Sequence, residues 1–398
     1  MSATTPAIGQ RIATARKLAG LTQFQLAEKA NYSEAMVQAV EQGKKPASPR
    51  FIASAAKALS IEPELLTGQP YHFDDEKPLE GLPELRALIA EGTEVIVAPP
   101  APLSELEADL AQISKWYWDD KGAKSLAAIP TFLRQVYGAA HAANSVHDRG
   151  RAYTLLSAGW AQAEQLSRRF GALTLSVPCL DRLDAVAQHA DDPVYAAKAT
   201  QKRARVLMYY GTFDSGRAAR SAERLAELPD SEPILAARGS AHLCTAIVAA
   251  RGGDRPTARA HLREARELGA RVGHESPHYG TKFGPGNVTI HEVAVALEAG
   301  DPEQAARLGS STRLPADVSS PRLAHHWQDV ARAWLLSGDP ARSLQALNMA
   351  RKVAPQQTRR LFRTNDRRAG FSTLWVSTSR HQCDVGAVLA RSVIVGRG

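Results

Sequence analysis

Between Thr22 and Gly43 the sequence places two short helices almost end to end, each opened by a capping residue, and few folds accommodate that arrangement. Thr22 stands as an N-cap with Gln25 three residues on, the reciprocal capping box, and Leu26 and Ala27 follow as inward residues of a helix running to about Ala30. After the link Asn31-Tyr32, Ser33 caps a helix over Glu34 to Gln42 in which Val37 and Val40 are the inward pair, and Gly43 stops it. Such a pair holds its second helix proud of the surface. On the N-terminal side, Ile8, Ile12, Ala15, Leu18 and Ala19 recur at helical spacing, with Arg11, Arg16 and Lys17 on other faces and Gly20 at the end. On the C-terminal side, Ser48 and Pro49 open a helix whose Ile52, Ala55, Ala56 and Leu59 face inward, and Leu65 and Leu66 close a fifth short turn.

Read together, "GLTQFQLAEKANYSEAMVQAVEQGKKPASPRFIASAAKALSIEPELL" is similar throughout to the Xre and phage-repressor helix-turn-helix family, and the likeness spans residues 8–66 without a gap. The resemblance implies a DNA-binding domain over residues 1–68, with its third helix as the reader. It implies that Gln23, opening the second helix, anchors a phosphate, and that Lys44 and Lys45 present basic groups to the backbone. It sets Ser33, Glu34, Ala35 and Gln38 at major-groove base edges: Gln38 suits adenine, Glu34 a cytosine amino group, and the Ala35 methyl a thymine methyl. It also pairs Arg16 with Glu41 between the first and third helices, against the alternative of two independent solvated charges. The sequence departs from the family at Asn31 and Tyr32, where Gly and a small aliphatic residue are usual. Asn tolerates a left-handed backbone, so the turn is expected to survive. The competing reading leaves Glu34 and Gln38 as solvated positions of a module that binds protein. One such domain has little surface for selecting a site, so a homodimer on an inverted-repeat operator in double-stranded DNA is expected, with dimerisation supplied by the rest of the chain.

A chain of 398 residues leaves room for a second, larger unit. With 6% aromatic residues, abundant Ala, Leu and Arg, and no long run of alternating β-branched residues, that region reads as all-α. Residues 69–102 read as a hinge: an acidic cluster at Asp74-Asp75-Glu76, a short amphipathic stretch from Leu79 to Ile89, then "VAPPAP". Helical periodicity resumes at Leu103–Tyr117 and Ser125–Ala143 and continues to residue 358. In "HWQDVARAWLLSGDPARSLQALNMARKVAP" the residues Trp327, Ala331, Trp334, Gly338, Ser343, Leu347, Ala350 and Pro355 fall at tetratricopeptide spacing. Weaker copies surround Gly211 with Phe213, Gly253 with Ala258 and Ala265, and Gly300 with Ala305; the turn glycines lie 42, 47 and 38 residues apart, so the expected solenoid is lengthened and degenerate. A stack of helical hairpins offers a concave surface for a peptide, a ligand or a protein. The whole resembles actinobacterial regulators that join an Xre-type domain to tetratricopeptide-like repeats, including the segment "YGTKFGPGNV" from Tyr279 to Val288. That resemblance implies a peptide or small-molecule effector. Asn287 is the candidate contact to it, against the alternative of a helix cap at a loop.

Residues 359–398 fit neither repeat nor linker. The formal charge of +8 is concentrated there, because residues 351–398 hold ten Arg or Lys against Asp366 and Asp384. A basic arm on DNA and a short helix closing the solenoid are equally compatible with that composition. Cys179, Cys244 and Cys383 are too scattered for a metal or redox pair and read as buried small residues. His274 and His278 have ligand spacing, but Ser276-Pro277 makes the segment a loop, and His325 and His326 point to different sides of a helix. No metal and no cofactor are expected. No phosphate loop, nucleophile elbow or catalytic cysteine arrangement is present, so an enzyme is not expected. Neither a leader nor an apolar run near bilayer length stands out, which places the chain in the cytoplasm, at the nucleoid. Three readings follow: a transcriptional regulator whose repeats sense a ligand, a DNA-tethered interaction scaffold, and an antitoxin-like repressor.

Overall fold

The computed structural model describes residues 8–45, 47, 49–59, 61, 66 and 79–358. The Ser48 cap, Leu65, the acidic cluster at 74–76, Cys383 and the basic tail at 359–398 lie outside the described residues. Among those described, every regular element is a helix, and the only strand-like pairing is an isolated antiparallel bridge between Ser276 and Phe283. The chain divides into two compact units, the N-terminal helices and a unit from Leu79 to Thr358.

The N-terminal unit contains α1 (Ile8–Leu18), α2 (Gln23–Ala30), α3 (Glu34–Glu41) and α4 (Pro49–Leu59). Their inward faces close over one core in which Ile12, Leu26, Val37, Phe51 and Ala55 have lost all contact with water and Leu66 nearly all. Burying each of the larger of these side chains contributes about 2 kcal/mol, which a unit of this size needs. Two details complete the fit. An ideal Cβ on Gly9 would stand 2.1 Å from the Val40 carbonyl oxygen, so α1 can approach α3 as it does only with glycine there. Tyr32 meets the buried Phe51 ring edge to face at 4.9 Å, so the bulky residue in the turn is part of the core.

The second unit opens earlier than the composition suggests. Residues 79–102, the described part of the expected hinge, belong to it. Helix α5 (Leu82–Ala90) sinks Leu82, Leu85 and Leu88 into the same core as Leu126, Ile129 and Leu133. Beyond α5, Arg134 pairs with Glu91 and donates to the Ile96 carbonyl at 2.6 Å, while the Ala98 amide donates to the Arg134 carbonyl at 3.2 Å. The proline-containing connector is therefore strapped along a helix. An amphipathic stretch next to a large apolar core buries its apolar face there, and polar composition around it does not prevent this.

Among the described residues twelve further α-helices follow: α6 (Leu103–Trp118), α7 (Gly122–Ala142), α8 (Val146–Arg169), α9 (Leu173–Ala187), α10 (Val194–Leu207), α11 (Ser215–Ala226), α12 (Glu232–Gly252), α13 (Arg255–Val272), α14 (Pro285–Glu298), α15 (Pro302–Ser311), α16 (Ser320–Leu336) and α17 (Pro340–Val353). Each packs on the next, and α6, α8, α10, α12 and α14 each also meet the second helix onward, which is the contact pattern of stacked hairpins. The hairpin tips repeat one device. Gly211, Gly253, Gly300 and Gly338 all take the left-handed backbone. An aspartate follows each, and its side chain accepts the amide three residues on: Asp214 from Arg217, Asp254 from Thr257, Asp301 from Gln304 and Asp339 from Arg342. Four residues after each aspartate stands a small buried side chain, Ala218, Ala258, Ala305 or Ser343.

Helix α12 is long and apolar enough to cross a bilayer by length and composition, which the sequence reading did not anticipate. It is 72% buried within the hairpins and is their core helix. The row of hairpins comes round far enough for its ends to touch. Asp120, between α6 and α7, accepts from the amides of Gln356 at 2.7 Å and Gln357 at 3.0 Å and from Arg169 at 2.6 Å, and Gln356 in turn accepts from the Ala123 amide.

Candidate nucleic-acid interface

The geometry of α2 and α3 rests on local rules. The Thr22 side chain accepts the Gln25 amide at 3.1 Å while Gln25 accepts the Thr22 amide at 2.9 Å. Asn31 ends α2 at φ 59°, ψ 49°, and the Tyr32 amide returns to the Ala27 carbonyl at 2.9 Å, satisfying carbonyls the helix leaves open. Ser33 then caps α3 by accepting the Met36 amide.

A buried polar network fixes α3 against α1 and α2. The Arg16 guanidinium donates through Nε and Nη2 to both carboxylate oxygens of Glu41, at 2.6 and 2.8 Å, and through Nη1 to the Leu21 carbonyl at 2.8 Å. The two side chains are 10% and 5% exposed. Burial pushes the Glu41 carboxyl up, but the hydrogen bonds from Arg16 and Gln23 outweigh it and hold the group below the usual carboxylate range. Gln23 thus has a role that sequence reasoning missed: its side-chain amide donates to Glu41 Oε2 at 2.7 Å and joins the ion pair.

With Val37 and Val40 turned into the core, α3 exposes one edge. Ser33, Glu34, Ala35 and Gln38 all lie on it in contact with solvent, and Lys44 and Lys45 are exposed just beyond its end. The structure leaves all six of these residues exposed, and Ala35 is the only apolar side chain among them. Phe24, 53% exposed beside Gln23, is a large apolar group on the same unit that periodicity did not single out.

The expected effector contact is placed differently. Asn287 is 1% exposed, its side-chain amide donates to the carbonyls of Lys282 at 2.7 Å and Thr281 at 3.4 Å, and its own carbonyl is bonded to His291 Nδ1. It lies in the first turn of α14 and holds the loop before that helix, so it does not face an open ligand surface. His274 and His278 both approach Glu232, at 3.2 and 3.8 Å, and no group of three metal-binding side chains gathers among the described residues. His326 is buried against the Gly309 carbonyl while His325 is exposed near Asp329. Cys179 and Cys244 are both buried free thiols, and burial pushes the Cys179 thiol well up.

The first unit is thus a helix-turn-helix module and the second an array of helical hairpins. Residues 7–67 match the family described as Helix-turn-helix domain. Among solved structures the chain is similar to PlcR of Bacillus thuringiensis, crystallised in complex with the peptide PapR7 and DNA, at 12% identity, over 86% of this chain and 100% of that one, with a TM-score of 0.39. A likeness at that level says nothing of what this chain binds. Curated proteins give no match.

Proposed function

We propose that this chain is a sequence-specific DNA-binding transcription regulator of the Xre type that acts by binding and not by catalysis. Its α3 enters the major groove, and its hairpin unit pairs two copies and receives a peptide or small-molecule signal. The observation that carries this reading is that Ser33, Glu34, Ala35 and Gln38 are all exposed on a helix clamped by the Arg16–Glu41–Gln23 network. A reading helix must hold its side chains to a fixed register, and a bidentate guanidinium–carboxylate pair supplies that. Phosphate contacts fall to Lys44 and Lys45 and to the backbone amides at the start of α2, whose first-turn N–H groups have no helical partner. Binding of this kind takes place in the cytoplasm, at the nucleoid.

Selection of bound sequences from a random duplex pool with the full-length protein tests this. Enrichment of an inverted repeat, lost or altered in the Glu34→Ala, Gln38→Ala double variant, is the expected result. Each lost base contact weakens the preferred site by about 1–3 kcal/mol. A pool with no enriched motif, or a motif unchanged by the double variant, removes α3 as the reader.

A further inference from the structure

The segment from Tyr279 to Val288, singled out in the sequence, divides in the structure into part of a short finger and the start of α14. The Ser276 amide donates to the Phe283 carbonyl at 2.9 Å, and this antiparallel bridge closes residues 277–282 into the finger. Its base is pinned to α12. The Phe283 ring is wholly buried over Gly239, where an added Cβ would stand 2.0 Å from it, and Ser276 Oγ donates to Glu232 at 2.9 Å.

The finger beyond that base is held by its main chain. The Tyr279 carbonyl accepts from the Lys198 ammonium of α10, the Thr281 carbonyl from Arg322 Nη2 of α16 at 2.8 Å, and the Lys282 carbonyl from Asn287 Nδ2 of α14 at 2.7 Å. Helices α10, α12, α14 and α16 pack on one another in succession as one layer of the stack. Side chains from three of them therefore converge on three carbonyls within four residues. Donors that grip carbonyls read no side chain, and any extended backbone presents the same acceptors. The finger leaves this clamp partly unused. Asn287 Oδ1 and Arg322 Nε, one an acceptor and the other a donor, are buried without a hydrogen-bond partner among the described residues. A backbone N–H and a further carbonyl would satisfy both. The finger is also strained: Tyr279 and Lys282 stand at φ 53° and 45°, a left-handed backbone that such residues rarely adopt.

We infer that the finger is a built-in stopper. It occupies, with its own carbonyls, a backbone-clamping site formed by Lys198, Asn287 and Arg322, and an extended peptide that makes the two missing hydrogen bonds displaces it. The inference rests on the sensor reading above and narrows it to a peptide bound through its main chain at a site that stays closed until the finger leaves. Because the finger is tethered, it competes at a high effective concentration, so a peptide of no better fit does not open the site.

Gly280 offers a way to withdraw the finger without touching its base. It takes φ 58°, and an added Cβ there meets nothing within 4 Å, so Gly280→Val strains the finger's backbone without a clash. Gly280→Pro, which cannot take that φ either, is a second route to the same release. The experiment pans a random heptapeptide library displayed on phage against the full-length wild type and both variants, then measures synthetic versions of the enriched peptides by fluorescence anisotropy. The expected result is a motif enriched on the variants, with peptides that bind them about tenfold or more tighter than the wild type. Lys198→Met in the Gly280→Val background keeps the length of the side chain and removes the donor, so it weakens the same peptides by about tenfold, one charge-assisted hydrogen bond. No enrichment on either variant, equal affinity for wild type and variants, or affinity untouched by Lys198→Met overturns the inference. The random-pool DNA selection on the same preparations keeps the two claims apart: a protein that selects DNA while its variants select no peptide refutes only the stopper, and one whose variants select peptides but no DNA refutes only the regulator.

Discussion

His242 shows how a single buried side chain sets a condition for stability. Its Nδ1 lies 2.8 Å from Nδ1 of His261 across the α12–α13 hairpin, and it is 8% exposed. Burial, then the charge of His261, then that of Arg238 push it down to about 4. The folded state therefore refuses a proton that the unfolded chain, at its ordinary value of 6.5, accepts. Stability is full above 6.5, falls as pH drops from 6.5 towards 4, and levels off below. Between pH 7 and pH 5 the loss from this residue is about 2 kcal/mol. His261, His291 and His326 are shifted the same way and add to it, while the lowered carboxylates Glu41, Glu164 and Glu298 lose stability only at more acid pH. Denaturant unfolding at the two pH values is expected to show the fall, and His242→Gln to reduce it; an identical slope in the variant would remove His242 as the cause.

Among the elements, α5 separates two pictures of residues 79–102. If they were a hinge, an apolar residue there would matter little. In the structure Leu85 is wholly buried between α5 and the helices behind it, and Arg182 also donates to the Ile89 carbonyl at 3.1 Å. Leu85→Ala is expected to destabilise the hairpin unit by about 2–5 kcal/mol, measured as a shift in its denaturant midpoint at unchanged slope. A shift within a few tenths of a kcal/mol would restore the hinge. The same reasoning explains why the helix-turn-helix elements were legible. Caps at Thr22 and Ser33, a left-handed Asn31 and stops at Gly20 and Gly43 act within a few residues, so their cause lies wholly in the local sequence.

At the scale of the whole hairpin unit, stability rests on the closure at Asp120. One carboxylate accepts from two backbone amides more than two hundred residues away and from Arg169, which also lies 4.7 Å over the Tyr117 ring. Asp120 itself sits at φ 58°, which asparagine tolerates, so Asp120→Asn removes the charge without straining the turn. The expected outcome is a loss of about 3 kcal/mol, since the Arg169 guanidinium keeps its burial and loses its counter-ion. Amide exchange at Gln356 and Gln357 should accelerate well beyond that of α12. Unchanged protection there would mean the ends are held by packing alone.

The sequence by itself determined what depends on neighbours along the chain. It set the five-helix pattern as far as it is described, the turn at Asn31, the exposed edge Ser33–Gln38, and the hairpin tips at Gly211, Gly253, Gly300 and Gly338. It also marked Arg16 and Glu41, through resemblance, as partners. Tertiary structure decided what depends on approach from a distance. It added Gln23 to the ion pair as a third member, because α3 carries Glu41 within 2.7 Å of it. It drew α5 out of the linker, because an apolar face finds a core wherever the chain can reach one. It buried Asn287, because the loop before α14 folds back and offers its carbonyls. Capping and periodicity are properties of a few residues and can be read in order; charge neutralisation and burial are sums over everything that comes near.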